Sequence, residues 1–290
     1  MVWTRGRDCR ELAELLGGDA AFRSSGDLID ACVEARADMV VSRKLLPSFD
    51  LVPVAVPMDL PASGFGSVVA AVAGGPHSSL AAEVAAVIGR NASVRASMVC
   101  AYREDEEANA RAWVDRLLLT APDLSWSTVQ VGSVGDLIAQ IPDDALLVLG
   151  APGGTWFQRL FFGAGARLRQ AAPNGAVVVR SAPLRVFHVM QEPVYVAPLI
   201  GCSEALRVTS HGVLPVVQEG RLIGIVTRSV LAAAPEGSSV ADVLLPAIWV
   251  EAVDPASAAE ERAADLGADL VPVVGRQDSL VGVVEVLPRA

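Results

Sequence analysis

Lysine is almost missing from this 290-residue chain: Lys44 stands alone, and arginine carries the rest of the positive charge. Aromatic residues make up 5% and charged residues 19%, against 52% apolar residues. So much apolar material excludes a disordered chain. No uninterrupted apolar run reaches the roughly 20 residues that a bilayer-crossing helix needs. The most apolar stretch, residues 51–75, is broken by Pro53, Pro57, Asp59 and Pro61, so no membrane partner is expected.

Cysteine is scarce and scattered: Cys9, Cys32, Cys100 and Cys202 form no CxxC pair. That spacing argues against a zinc site or redox pair and for small buried apolar residues. His77, His188 and His211 lack the HxxxH spacing that would set two imidazoles on one helical face. Acidic residues outnumber basic ones by 33 to 23, a net charge of -10, and no basic stripe interrupts the excess. A nucleic-acid partner is therefore not expected, because phosphate repulsion would go unopposed. The opening residues include Arg5, Arg7, Asp8 and Arg10 rather than a short basic start followed by an apolar run, which suggests a cytoplasmic protein.

What the chain does have is many short Val/Leu/Ala runs, the pattern of strands buried on both faces of a parallel sheet. Its length suits two folded units. Strands are expected at 68–73, 94–101, 126–131, 145–149 and 176–180, with helices starting near Ser78 and Asp105. This alternation predicts right-handed βαβ units in an α/β, doubly wound parallel sheet, with ligands at the carboxyl ends of the strands where strand order reverses. Ser78-Ser79 is expected to cap the first of these helices. The run Glu104 to Glu107 reads as a solvated first helical turn and Asp143-Asp144 as a turn.

Beyond Ala182 one unit occurs twice. Leu214-Pro-Val-Val217 and Leu222-Ile-Gly-Ile-Val226 recur as Val271-Pro-Val-Val274 and Leu280-Val-Gly-Val-Val284, with Gly224 and Gly282 58 positions apart. Short helices are expected before each strand pair, at 203–209 and 257–266, and Glu219-Gly220 supplies the first hairpin turn. A fainter echo lies in the first 62 residues: Gly26-Asp-Leu-Ile29 and Met39-Val-Val41 match Gly135-Asp-Leu-Ile138 and Leu146-Leu-Val-Leu149, with a last strand expected at 51–56. Either the segment is a degenerate half-repeat of the domain that follows, or two ordinary strand-helix-strand segments coincide.

After the strand at 146–149 comes Gly150-Ala-Pro-Gly-Gly-Thr155, then Arg159 and Gly163-Ala164. Glycines let a backbone bring its N–H groups close to phosphate, and a helix start adds partial positive charge. The same residues also serve any tight strand-to-helix turn. Trp156, Phe157, Phe161 and Phe162 gather aromatic area here, for a ligand, a contact or the core.

The spacing Gly150-x2-Gly153-x9-Gly163, with Arg159-Leu160 before the last glycine and a Val-Val-Val-Arg strand after it, resembles the universal stress protein family over residues 67–181. The resemblance implies an ATP site at Val72, Ala73, Gly150, Gly153, Gly154, Thr155, Arg159, Gly163 and Ala164. It also implies a stress-related role and a homodimer paired through last strands. Two positions depart from the family: Ala164 stands where Ser or Thr is usual, and Ala73 where the nucleotide-binding branch carries Asp. The repeat over 185–290 resembles a tandem pair of CBS domains, which implies a cleft for AMP or another adenosine ligand at Val216, Val217, Thr227 and Arg228. Val230 and Pro288 stand where such pairs place the carboxylate that holds ribose.

The expected organisation is a half-repeat over 1–62, a universal-stress-type domain over 63–183 and a CBS pair over 184–290, divided at 235/236. The expected function is regulation through an adenine nucleotide and an unknown protein partner, without catalysis. The alternative is a scaffold or dimerisation protein that binds no nucleotide.

Overall fold

A computed structural model describes residues 2–3, 6–17, 21–22, 27–44, 46, 49–102, 104, 106–151, 172, 174–209 and 211–286. The chain divides into two compact units, Met1–Ala182 and Pro183–Ala290. No helix of the described residues is long and apolar enough to cross a membrane.

The first unit is built on one large sheet. Its strands are β1 (Val2–Trp3), β2 (Ala21–Phe22), β3 (Val40–Val41), β4 (Val54–Met58), β5 (Ser67–Val72), β6 (Arg95–Tyr102), β7 (Ser125–Gln130), β8 (Ala145–Gly150) and β9 (Ala176–Arg180). They lie in the order β2-β1-β3-β4-β9-β8-β5-β6-β7. Every neighbouring pair is parallel except β4 with β9, where Val54 faces Arg180 and Met58 faces Ala176. The sheet is thus dominated by parallel pairs but mixed at one junction.

Strand alternation sends successive side chains to opposite faces. Val68, Ala70 and Val72 join one apolar core with α1 (Arg7–Leu15), α3 (Pro76–Ala92) and α4 (Glu107–Leu117). Val69 and Ala71 join a second core on the other face with Leu137 of α5 (Val134–Ile138). Both faces are covered, which is why these strands read as unbroken apolar runs. The helix α2 (Leu28–Glu34) is capped by Asp27, whose carboxylate accepts from Ile29 N.

Two local expectations change. The strand expected at 51–56 forms at 54–58 and takes in Pro57, which pairs with Val177 of β9. Pairing with β3 ends at Ala55, so along Pro57 the β3 side of β4 is an edge, where a missing N–H costs no ladder bond. Ser78 does not cap α3. Pro76 starts the helix earlier, after Gly75, and the buried Ser78 hydroxyl accepts from Ala73 N at 3.2 Å.

The second unit holds two copies of one motif. The first has α7 (Cys202–Val208), an antiparallel pair β10 (Val213–Gln218) and β11 (Arg221–Thr227), and α8 (Arg228–Ala233). The second has β12 (Val250–Glu251), α9 (Ser257–Leu266), and the antiparallel pair β13 (Leu270–Val274) and β14 (Leu280–Glu285). Both hairpins shift register at equivalent points, Val216/Val217 and Val273/Val274. The hairpin turn of the first copy puts Glu219 and Gly220 at positive φ, 51° and 79°.

The copies exchange their lead-in segments. The stretch with α6 (Val186–Val189) precedes the first copy but bonds to the second, through Phe187 N to Ala252 O and a Gln191–Val283 bridge. Its counterpart around Val240–Val243 precedes the second copy but bonds to the first, through Val240 N to Ile200 O and a Leu245–Ile225 bridge.

Candidate functional site

Strand order in the first unit reverses beside β5, which has β6 on one side and β8 on the other. Val72, fully buried, ends β5, and the half-buried Ala73 follows. Gly74 and Gly75 then turn the chain into α3 with φ of 92° and 85°. Gly74 needs its freedom for a second reason: a Cβ there would stand 2.8 Å from the Trp113 indole.

Gly150 ends β8 against the first turn of α3, where a Cβ would meet the His77 carbonyl carbon at 2.8 Å and its oxygen at 2.9 Å. Its lack of a side chain is therefore explained by strand-helix contact. His77 Nδ1 accepts from Ser181 N at 3.1 Å and lies 2.7 Å from Ser181 Oγ. In the neutral ring the proton thus sits on Nε2. Burial, and then the charge of Arg180, hold the imidazole pKa below its ordinary value. The same two causes weaken His77 as a proton acceptor for the Ser181 hydroxyl.

Beside Ala73 lies a hollow of about 280 Å³, lined by Cys100, Ala101 and Tyr102 from β6 and by Glu106, Asn109, Trp113 and Arg116 from α4 and its start. The Arg116 guanidinium stands 5.2 Å from the Trp113 ring centroid. Cys100 is buried, which pushes its thiol up to about 11. This volume is at the lower limit for small-molecule pockets and suits a nucleobase-sized ring better than a whole nucleotide. The lining fits such a ring: an indole and a phenol offer flat area, and Glu106 and Asn109 offer polar edges.

Of the site residues expected from the sequence, Val72, Ala73 and Gly150 come together at this edge. Gly153, Gly154, Thr155, Arg159, Gly163 and Ala164 lie outside the described residues, as do the four aromatic residues among them. Sequence reasoning missed Tyr102, Trp113 and Arg116. The signal was the spacing of Trp113 and Arg116 by three on the helix that follows β6, which places both on one side.

In the second unit Val216 and Val217 are buried in β10. Thr227 ends β11 and caps α8: its Oγ1 accepts from Val230 N at 3.3 Å and lies 2.9 Å from Ser229 Oγ. Arg228 donates from its backbone N to Gly212 O and from its guanidinium to Thr209 O. Gly212 N in turn donates to both carboxylate oxygens of Asp269, at 3.0 and 2.9 Å. His211 Nε2 lies 3.2 Å from Glu285 Oε1. The starts of β10 and β13 and the end of β14 therefore meet, with polar groups from both copies around them. Among the described residues no three His, Cys, Asp or Glu side chains gather as a metal-binding group.

A family model described as CBS domain matches residues 186–237. No curated protein matches the chain. Among solved structures, the soluble part of a magnesium transporter is 24% identical over 35% of this chain and 44% of its own, with a TM-score of 0.33. The chain thus spans under half of that relative's length. A CBS domain pair in complex with 5′-methylthioadenosine and S-adenosyl-L-methionine is 23% identical over 36% of this chain and 90% of its own, with a TM-score of 0.32. CBSX2 of Arabidopsis thaliana, in complex with AMP, is 21% identical over 35% of this chain and 89% of its own, also with a TM-score of 0.32.

Proposed function

We propose that this chain is a non-catalytic regulator that responds to an adenine nucleotide, held by the first unit at the carboxyl edge of β5, β6 and β8. The observation that carries this reading is the position of the Trp113 hollow. It opens at the end of β5, beside the strand-order reversal where open α/β sheets bind ligands. In this reading the base sits in the hollow, and the phosphates extend toward Gly150, where the glycine-rich sequence begins. ATP is the proposed nucleotide, and a stress-related role in the cytoplasm, exercised on a protein partner, is the proposed setting.

The CBS domain and its repeat form the regulatory module. AMP or another adenosine compound is its proposed ligand, as in the relatives crystallised with such ligands. One observation favours the scaffold reading for this module. The Thr227 hydroxyl is already committed to capping α8, and Val230 offers no acceptor for ribose hydroxyls.

Calorimetry of the nucleotide-free full chain with ATP and with AMP tests both halves of the reading. Micromolar ATP binding is expected, weakened by about 5- to 150-fold in Trp113→Ala, because stacking of a base on an aromatic ring is worth about 1–3 kcal/mol. Ala73→Asp should strengthen it by restoring a polar contact at the end of β5. AMP heat should survive Trp113→Ala if it arises in the CBS module. No heat with either ligand, in a folded sample, would establish the scaffold reading instead.

A further inference from the structure

We propose that the strand set β1 to β4 is a built-in partner: through β4 it occupies, within one chain, the β9 edge that a second copy of this chain would otherwise fill. Counted outward from the antiparallel junction, the strands run β4-β3-β1-β2 on one side and β9-β8-β5-β6-β7 on the other. Each side starts with its own last strand, then its second-last, its first and its second. The N-terminal side merely lacks the third. The helices agree, since α2 and α5 each precede the second-last strand of their side. A two-fold axis relating two copies pairs equivalent strands antiparallel. The β4–β9 ladder is that arrangement made inside one molecule.

The closure is constitutive. Ala55 packs with Val177 and Val179 in one core, while Val54 and Val56 pack with Ala176 and Val178 in the other. Cys9, Leu12 and Ala13 of α1 share the first core with α3, and Asn91 at the end of α3 donates from Nδ2 to Leu15 O at 2.9 Å. Arg180 donates to the carbonyl oxygens of Leu46 at 2.7 Å and Phe49 at 3.3 Å. With β8 on its other side, β9 has no free edge. The homodimer through last strands that the family resemblance implied is therefore replaced here by a pairing in cis, and any self-association uses another surface.

Hydrogen exchange of the native full chain over a hundredfold dilution tests this. Protection of residues 176–180 and 54–58 should not change, because a cis pairing has no concentration dependence. Protection that falls on dilution would overturn the proposal. A second test places cysteines at Val56→Cys and Val178→Cys, which face each other across the ladder at a spacing that suits a disulfide. Oxidation should give a monomer that migrates faster on a non-reducing gel. A disulfide-linked dimer would overturn the proposal as well.

Discussion

The second unit holds two copies of one motif and the first holds two strand sets of matching order, and the two units join these halves in different ways. In the second unit the copies interlock through side chains and backbone at fixed points. A Cβ on Gly224 would stand 2.6 Å from Leu245 O and from Leu244 Cδ1, and a Cβ on Gly282 would stand 2.8 Å from Met190 Sδ and 3.0 Å from Gln191 O. Each glycine of one copy thus admits the lead-in segment of the other. In the first unit the halves meet through a backbone ladder, and ladder bonds do not depend on which side chains flank them. Close backbone approach dictates particular residues, whereas a ladder dictates only apolar ones of suitable volume.

The sharpest way to break this comparison is to fill the glycines. Gly224→Ala and Gly282→Ala should each destabilise the second unit, by about 1–3 kcal/mol as overpacking of a tight core does. Gly224→Ala should cost more, since its nearest obstacles include a backbone oxygen at 2.6 Å, while Gly282 meets first the flexible end of Met190. Urea unfolding of the two variants, followed by a probe in the second unit, measures the order. The reverse order would mean that the Leu245 carbonyl gives way more readily than the Met190–Gln191 segment does.

A smaller effect is expected from acid. The folded-state pKa of His77 lies below its unfolded value, so its contribution to stability is fully present above about pH 6.5 and is lost as pH falls through the folded pKa. The first unit should therefore lose stability between neutral and mildly acidic pH. His77→Gln should flatten that part of the profile, while the second unit, followed separately, keeps its own pH dependence. An unchanged slope in the variant would remove His77 as the cause.

The same distinction explains what was legible in the sequence. The copies of the second unit could be read because Leu214-Pro-Val-Val217 and Val271-Pro-Val-Val274 sit in equivalent bulged hairpins with a glycine at each contact. In the first unit β5 to β9 were readable within a residue or two, since both faces are buried and the runs are long enough to show it. β1 and β2 escaped notice because strands of two residues each, Val2–Trp3 and Ala21–Phe22, carry no periodicity. β4 was displaced because Pro57 reads as a breaker until it is known that pairing on its β3 side has already ended. The exchange of lead-in segments was also hidden: nothing in residues 184–191 says that they bond to the second copy rather than the first. At the site, Gly150 was found through the glycine pattern and Ala73 through the family resemblance. Trp113 was not, because its place over Gly74 arises from packing of α4 beside the β5 turn.

The smallest effect tests the ladder itself. Met58 lies in β4 opposite Ala176, half-buried, beside the core that holds Val54 and Val56. Leucine has nearly the same volume, and volume-conserving apolar swaps cost less than about 1.5 kcal/mol. If backbone pairing joins the halves, Met58→Leu should leave the unfolding midpoint of the first unit nearly unchanged and leave exchange at 176–180 as slow as before. A loss as large as that from Gly224→Ala would mean that the β4–β9 junction, too, depends on one fitted side chain. The contrast between the units would then be one of degree, and the faint echo in residues 1–62 would need a cause other than the tolerance of a ladder.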